Sequence, residues 1–122
     1  MRARAYLLKT TLNDKNQGFH LAILPADKNL DIDVLSETFL ENTGEILAHA
    51  TYRELEFITN CVQGAIAPIP SLFAKPVNLY MDQELAMAEN IEFCCGARNQ
   101  SIELPYKDFK VFLKRTTHKD FI

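Results

Sequence analysis

The chain has 122 residues, 48% of them hydrophobic and 24% charged, and its net charge is −3 at pH 7. These values are typical of a folded globular domain and exclude wholesale disorder. No apolar run approaches the roughly 18–20 residues that a membrane span needs, and the apolar run at residues 5–8 is too short for a signal peptide. We therefore expect one cytoplasmic domain over residues 1–122.

Two strands are predicted near the N-terminus. Residues 3–12 and 19–24 are rich in apolar and β-prone side chains, and a polar segment that contains a glycine separates them. This arrangement indicates an antiparallel pair. Residues 31–42 are ambiguous, because Asp31, Asp33 and Gly44 favour a capped helix while residues 34–40 also fit a strand. We prefer the helix, and we expect a short strand within residues 45–50.

Residues 51–66 carry the strongest helix signal in the chain. Thr51 and Glu54 form a capping box, in which each side chain can bond to the other's backbone N–H. Apolar residues then recur at helical spacing until Pro68 and Pro70 end the pattern. These apolar residues are Leu55, Ile58, Cys61, Val62, Ala65 and Ile66. We predict a core helix over residues 51–66, with Cys61 as a packing residue.

Shorter patterns predict the rest of the chain. Prolines favour an irregular connection over residues 67–75, and residues 77–81 fit a short strand. Asp82 suits the start of a short helix over residues 82–89. Residues 91–97 and 101–104 fit a hairpin, which is followed by a helix with an apolar stripe that includes Phe109 and Leu113. The predicted fold is α+β: a single domain with a mainly antiparallel sheet packed against two to four helices.

The sequence holds few residues that are typical of catalysis. The three histidines are dispersed, and no metal-binding, phosphate-binding or nucleophile motif is present. Cys94 and Cys95 would point to opposite faces of a strand, which works against joint ligation of a metal. His20 alternates with apolar neighbours, so we expect it on the wetter face of its strand. We predict no catalytic residues, no metal site and no cofactor.

An acidic segment carries the clearest functional hypothesis. Residues 26–45 hold six carboxylates against one lysine, a net charge of −5. Four of these carboxylates are spaced by four, which places at least the first three on one face of a helix or of a strand. Such charges can steer a basic partner, and the alternative is a solvated acidic face with no partner. The predicted partner-binding residues are Asp31, Asp33, Glu37, Glu41 and Glu45.

A small acidic α+β chain without a catalytic set, ending in SIELPYKDFKVFLKR, resembles the immunity proteins of bacterial polymorphic-toxin and contact-dependent inhibition systems. The resemblance implies a non-enzymatic cytosolic antitoxin that occludes the active site of a cognate toxin, such as a basic nuclease. It implies a protein partner, with no direct nucleic-acid contact and no membrane association.

Two other classes of function remain open. The first is a small enzyme or ligand-binding domain with a pocket built from dispersed residues, for which the candidates are His20, His49, Cys61 and Cys94. The second is a phage or plasmid accessory protein that acts by self-assembly.

Overall fold

The computed structural model describes residues 1–13, 16–97, 99–113 and 119–121. A five-stranded sheet has the order β3-β1-β2-β4-β7, and β5 and β6 form a separate two-stranded sheet. The strands are β1 (Ala3–Asn13), β2 (Asn16–Pro25), β3 (Ile46–His49), β4 (Asn78–Met81), β5 (Asn90–Cys94), β6 (Ser101–Pro105) and β7 (Lys119–Phe121). β1 pairs antiparallel with β2 and β3, whereas β4 runs parallel to β2 and to β7. The predicted antiparallel pair, the short strands and the hairpin are confirmed.

Three α-helices accompany the sheets: α1 (Ile32–Thr43), α2 (Tyr52–Thr59) and α3 (Tyr106–Leu113). Asp31 caps α1 by accepting a hydrogen bond from the backbone N–H of Val34 at 3.2 Å, and Gly44 ends the helix at φ 74°. The helix interpretation of residues 31–42 is therefore confirmed. So is the α+β class, with a mixed sheet, a second sheet and three α-helices. None of the described helices is long and apolar enough to cross a membrane.

The predicted length of the central helix is wrong. The capping box is present, with Thr51 N–H donating to Glu54 at 2.8 Å, but α2 ends at Thr59. Asn60 follows in the left-handed conformation at φ 56°, and its N–H donates to the carbonyl of Glu56. Asparagine tolerates this conformation better than other non-glycine residues, so it ends the helix although the apolar spacing continues. The chain from Cys61 to Ile66 is consequently a loop.

Two short segments also differ from regular helix. The segment predicted as a helix over residues 82–89 is a 3-10 helix, Gln83–Met87, with Asp82 as its cap. Residues 67–75 are irregular as predicted, apart from a single 3-10 turn at Pro70–Leu72.

The five-stranded sheet buries apolar side chains on both faces. Ala5, Leu7, Leu21 and Ile23 belong to the larger cluster, which includes side chains of α2, the following loop, β5 and α3. Leu8, Ala22, Leu24 and Leu47 form the smaller cluster, against which α1 packs. Because alternate residues of a strand point to opposite faces, β1 contributes its odd-numbered residues to one cluster and its even-numbered residues to the other.

Candidate functional site

The outer edge of β1, on the side away from β2, is paired along only part of its length. β3 covers it from Leu8 to Thr11, and the N–H of Ala50 extends this contact to the carbonyl of Leu7 at 3.0 Å. At the other end, β5 meets β1 through a bridge between Arg2 and Glu92. Within the described part of the chain, no strand pairs with this edge between Arg4 and Tyr6. We call this unpaired stretch the β1 gap.

A cavity of about 430 Å³ opens at the β1 gap, and we call it the edge cavity. Its volume lies in the range of small-molecule binding sites. β1, the end of β3, the start of α2 and the loop after α2 all contribute to its wall. The lining residues are Arg4, Ala5, Tyr6, Leu7, His49, Ala50, Tyr52, Leu55, Gln63, Gly64 and Ile66.

One side of the edge cavity is apolar. Ala5 and Leu7 point towards the larger apolar cluster, and Leu55 and Ile66 lie in the same cluster. All four side chains are buried, with 3–6% of their surface exposed. This side can accept an aliphatic group without burying an unpaired polar atom.

The other side of the edge cavity is polar. Arg4 and Tyr6 point away from Ala5 and Leu7, and an Arg4 guanidinium nitrogen (Nη1) donates a hydrogen bond to the Tyr6 hydroxyl at 3.2 Å. The ring of Tyr6 lies 6.1 Å, centroid to centroid, from the imidazole of His49. No carboxylate is among the lining residues that the structure describes, so none of them neutralises the positive charge of Arg4. This side suits a group that carries or develops negative charge.

The mouth of the edge cavity is formed by α2 and the loop that follows it. Tyr52, the first residue of α2, lines the mouth with 66% of its surface exposed. Gly64 has φ 81°, a conformation that glycine adopts without the strain a Cβ would bring. The loop is held by a hydrogen bond from the N–H of Val62 to the carbonyl of Gly96 at 3.1 Å.

An ion pair ties the paired part of β1 to the first turn of α2. The ammonium of Lys9 lies 3.1 Å from a carboxylate oxygen of Glu54, and both side chains are mostly buried. Burial raises the pKa of Glu54, but hydrogen bonds from Thr51 and Lys9, together with the charge of Lys9, outweigh it and lower the pKa overall. The contact fixes the start of α2, and therefore Tyr52, relative to the sheet.

Only one of the four dispersed candidates lines the edge cavity. That residue is His49, which is exposed on β3. Cys61 is buried in the larger apolar cluster, so its predicted packing role is confirmed. Cys94 is half-buried on β5 and lies 3.7 Å from the guanidinium of Arg2. Cys95 follows the end of β5, so the strand predicted over residues 91–97 is too long and strand alternation does not apply to Cys95.

The prediction for His20 is also wrong. His20 is 4% exposed, and its ring nitrogens lie 2.9 Å from the Thr10 hydroxyl and 3.4 Å from the side-chain nitrogen of Asn78. The alternation of apolar residues along β2 predicts that only one face of this strand is buried. The other face is buried as well, because the smaller apolar cluster lies there, next to His20.

The acidic residues lie away from the edge cavity. Asp31, Asp33, Glu37 and Glu41 are exposed on or beside α1, and Glu45 is half-buried beyond the glycine that ends the helix. None of them is among the lining residues. Their role in contacting a protein stays a prediction.

Sequence patterns did not identify Arg4, Tyr6, Tyr52 or Gln63. Arg4 and Tyr6 sit in a strand that reads as an ordinary sheet element, and its outer edge is left unpaired only because of where β3 ends and β5 begins. Gln63 and Gly64 were assigned to a helix that in fact ends at Thr59. The available signal was Asn60, whose preference for the left-handed conformation predicts an earlier helix end.

Comparison with known proteins gives a family and several structural neighbours. The family model of the aminoacyl-tRNA editing domain matches residues 3–112. Among solved structures, a proposed trans-editing enzyme for prolyl-tRNA synthetase matches with TM-score 0.70 at 19% identity, covering 98% of this chain and 68% of the other. A structure from a study of epitope grafting onto scaffold proteins by computational design matches with TM-score 0.74 at 15% identity, covering 99% and 68%.

A third structure, a proposed signal transduction protein from Marinobacter aquaeolei VT8, matches with TM-score 0.67 at 20% identity. The matched region covers 98% of this chain but only 24% of the Marinobacter protein. At these identities the structural matches show the fold alone. No curated protein sequence matches the chain significantly.

The family match overturns the resemblance to immunity proteins. It contradicts three expectations drawn from that resemblance: a non-enzymatic role, a toxin as the partner, and the exclusion of nucleic acid. Small size, acidity and the lack of a linear catalytic motif are shared by many folds, and here the polar residues come together only through the β1 gap. The alternative of a small enzyme fits the family better, although three of its four candidate residues lie outside the edge cavity.

Proposed function

The chain belongs to the aminoacyl-tRNA editing domain family, and we propose that it hydrolyses the ester bond between a wrongly attached amino acid and the end of a tRNA. The edge cavity is the proposed active site. A tRNA substrate also favours the cytoplasm as the place of action.

The observation that carries this proposal is the division of the edge cavity into two chemically different sides. An aminoacyl ester has an amino-acid side chain at one end and a ribose with its phosphate at the other. The buried aliphatic side, with Leu55 and Ile66, matches the first, and the side with Arg4, Tyr6 and His49 matches the second. The substrate ester then lies at the β1 gap, where the two sides meet.

The reaction is a hydrolysis without redox change. A water oxygen attacks the ester carbonyl carbon, the bond from that carbon to the ribose oxygen breaks, and the ribose oxygen takes up a proton. The products are a free amino acid and a tRNA with a free terminal hydroxyl. Negative charge develops on the carbonyl oxygen, and a fixed cation beside that oxygen stabilises the transition state. Arg4 is the cation among the described lining residues, and it is assigned this role.

Proton transfer is assigned to His49. Its imidazole lines the cavity wall, and histidine is the side chain that most often acts as general acid and base in enzymes. It takes a proton from the attacking water and returns one to the leaving ribose oxygen. Tyr6 and Tyr52 line the same cavity, and their hydroxyls are assigned as hydrogen-bonding groups for the ribose.

The amino acid that is removed is proposed to be small and aliphatic, because the apolar side of the edge cavity is built from Ala5, Leu7, Leu55 and Ile66. The described function of one structural neighbour involves prolyl-tRNA synthetase. Proline tRNA carrying a small aliphatic amino acid other than proline is therefore the first substrate to assay.

The test is a deacylation assay on a panel of correctly and wrongly charged tRNAs, with radiolabelled amino acids. We expect release of the amino acid above the uncatalysed rate from at least one wrongly charged tRNA, and much slower release from its correctly charged form. An Arg4→Ala variant purified in the same way controls for contaminating esterases. If no member of the panel is hydrolysed faster with the protein than without it, the proposed function is wrong; equal rates for the protein and that variant would overturn the role of Arg4.

A further inference from the structure

The backbone of β1 has a definite orientation at the gap. The carbonyl of Arg2 accepts a hydrogen bond from Ala26 at 2.8 Å on the β2 side, whereas the carbonyl of Leu7 accepts one from Ala50 on the outer edge. Backbone groups of successive strand residues alternate between the two edges. The N–H and C=O of Ala5 therefore both point out of the sheet into the β1 gap.

In the part of the chain that the structure describes, no strand pairs with Ala5 on the outer edge, because the ladder with β3 begins at Leu8 and the bridge to β5 lies at Arg2. No loop or turn residue described there bonds to the backbone of Ala5 either. Ala5 is 6% exposed, and buried backbone groups almost always find a partner. A cavity that contains one free donor and one free acceptor, side by side on a strand edge, is suited to a ligand with the complementary pair.

The size of the gap limits what that ligand can be. An added peptide strand pairs over several residues. Here β3 and β5 occupy the outer edge of β1 on either side of the β1 gap, so a ligand can pair with β1 through one residue only. A single aminoacyl group has the required groups, since its α-amino nitrogen donates and its ester carbonyl oxygen accepts.

We propose that Ala5 holds the aminoacyl group of the substrate as a one-residue antiparallel β-pair. The α-amino group donates to the Ala5 carbonyl, and the Ala5 N–H donates to the ester carbonyl oxygen. This inference rests on the proposed function and assigns a catalytic role to a backbone group, because the Ala5 N–H bonds to the oxygen that gains negative charge in the transition state.

The pairing explains where the amino-acid side chain goes. In an antiparallel pair, residues directly opposite each other place their side chains on the same face of the sheet. The side chain of an L-amino acid paired with Ala5 therefore points towards Leu55 and Ile66, on the apolar side. A D-amino acid that makes the same two hydrogen bonds cannot place its side chain there.

The first test varies the substrate and leaves the protein unchanged. The best substrate from the deacylation panel is compared with its D-enantiomer and with the acyl-tRNA that lacks the α-amino group, each corrected for uncatalysed hydrolysis. Loss of the charged donor should lower kcat/KM by about 10- to 100-fold, and the D-form should fall by about tenfold or more. Equal rates for all three would overturn the pairing while leaving the proposed hydrolysis intact.

The second test removes the N–H itself. Ala5→lactic acid, introduced during translation as an α-hydroxy acid, replaces this N–H with an ester oxygen and removes no β1–β2 ladder bond. We expect kcat to fall by about 100-fold or more, as for loss of one oxyanion donor. The matched control replaces Leu8 by its α-hydroxy analogue, which removes a ladder bond outside the edge cavity.

The outcomes separate the two proposals. Loss of activity with Ala5→lactic acid but not with the Leu8 control, at equal circular dichroism, supports the pairing. Wild-type rates from the Ala5 ester variant overturn the pairing alone. A wild-type protein that hydrolyses no aminoacyl-tRNA overturns the proposed function and the pairing together.

Discussion

The outer edge of β1 has two stretches that differ in structure: one is paired with β3 and the other is unpaired. From Leu8 to Thr11, the outer edge of β1 is covered by β3, and Leu8 is fully buried. At the β1 gap the same edge is uncovered, Arg4 is exposed, and a cavity takes the place of a neighbouring strand. One strand thus supplies the fold where its edge is paired and the proposed active site where it is not.

The largest expected effect on activity comes from a substitution at the β1 gap. Arg4→Ala should lower kcat for deacylation by about 100- to 1000-fold, because the proposed charge at the ester carbonyl is lost. The melting temperature should hardly change, since the guanidinium is exposed. Steady-state kinetics and thermal unfolding measure both. Arg53→Ala, at an exposed arginine of α2 that does not line the edge cavity, is the matched control and should stay close to wild type.

The paired stretch should respond in the opposite way. Leu8→Ala removes a fully buried side chain from the smaller apolar cluster and should lower the free energy of unfolding by about 2–5 kcal/mol. The folded fraction should retain its kcat, because Leu8 does not line the edge cavity. Denaturant titration, combined with activity at low temperature, separates the two effects. A large loss of kcat with little loss of stability would contradict the division of β1 into two stretches.

A smaller effect is expected at the wall of the edge cavity. Gly64→Ala places a Cβ on a residue at φ 81°, which costs about 1–2 kcal/mol and shifts the loop that lines the cavity. Gly44→Ala is its control, because Gly44 has a similar φ of 74° at the end of α1, with open space around it and no part in the cavity. Both variants should lose similar stability. Only Gly64→Ala should raise KM or lower kcat.

The smallest effect concerns the ion pair that joins the paired stretch to α2. The pKa of Glu54 is lowered in the folded protein, so the carboxylate stabilises the fold above its unfolded pKa. This contribution is lost as the pH falls through the folded pKa. The stability difference between wild type and Glu54→Gln, about 1 kcal/mol or less near neutral pH, should therefore shrink on acidification. Urea unfolding at a series of pH values measures this difference. A difference that grows as the pH falls would contradict the lowered pKa of Glu54.

Sequence patterns predicted the fold better than the site, for a physical reason. Strand alternation in β1, the caps of α1 and α2 and the two strands of the hairpin are local signals, and the structure confirms them. The β1 gap is not local, because it depends on where two distant segments stop pairing with one strand. His20 shows the same limit, since its burial requires the second apolar cluster on the other face of the sheet.

The helix that was predicted too long shows how a local error hides residues that line the cavity. Apolar spacing continues through Ile66, although Asn60 has already ended α2. Periodicity outweighed the conformational preference of one asparagine, and Gln63 and Gly64 were placed on a helix face. In the structure they line the edge cavity.

The most direct test of the central claim is a crystal structure with a non-hydrolysable aminoacyl-adenosine, in which an amide replaces the ester. We predict that its carbonyl oxygen accepts from the N–H of Ala5, that its α-amino group donates to the carbonyl of Ala5, and that its side chain contacts Leu55 and Ile66. The ribose should lie beside Arg4 and His49. An analogue bound away from the β1 gap, with the edge cavity filled only by solvent, would contradict the account.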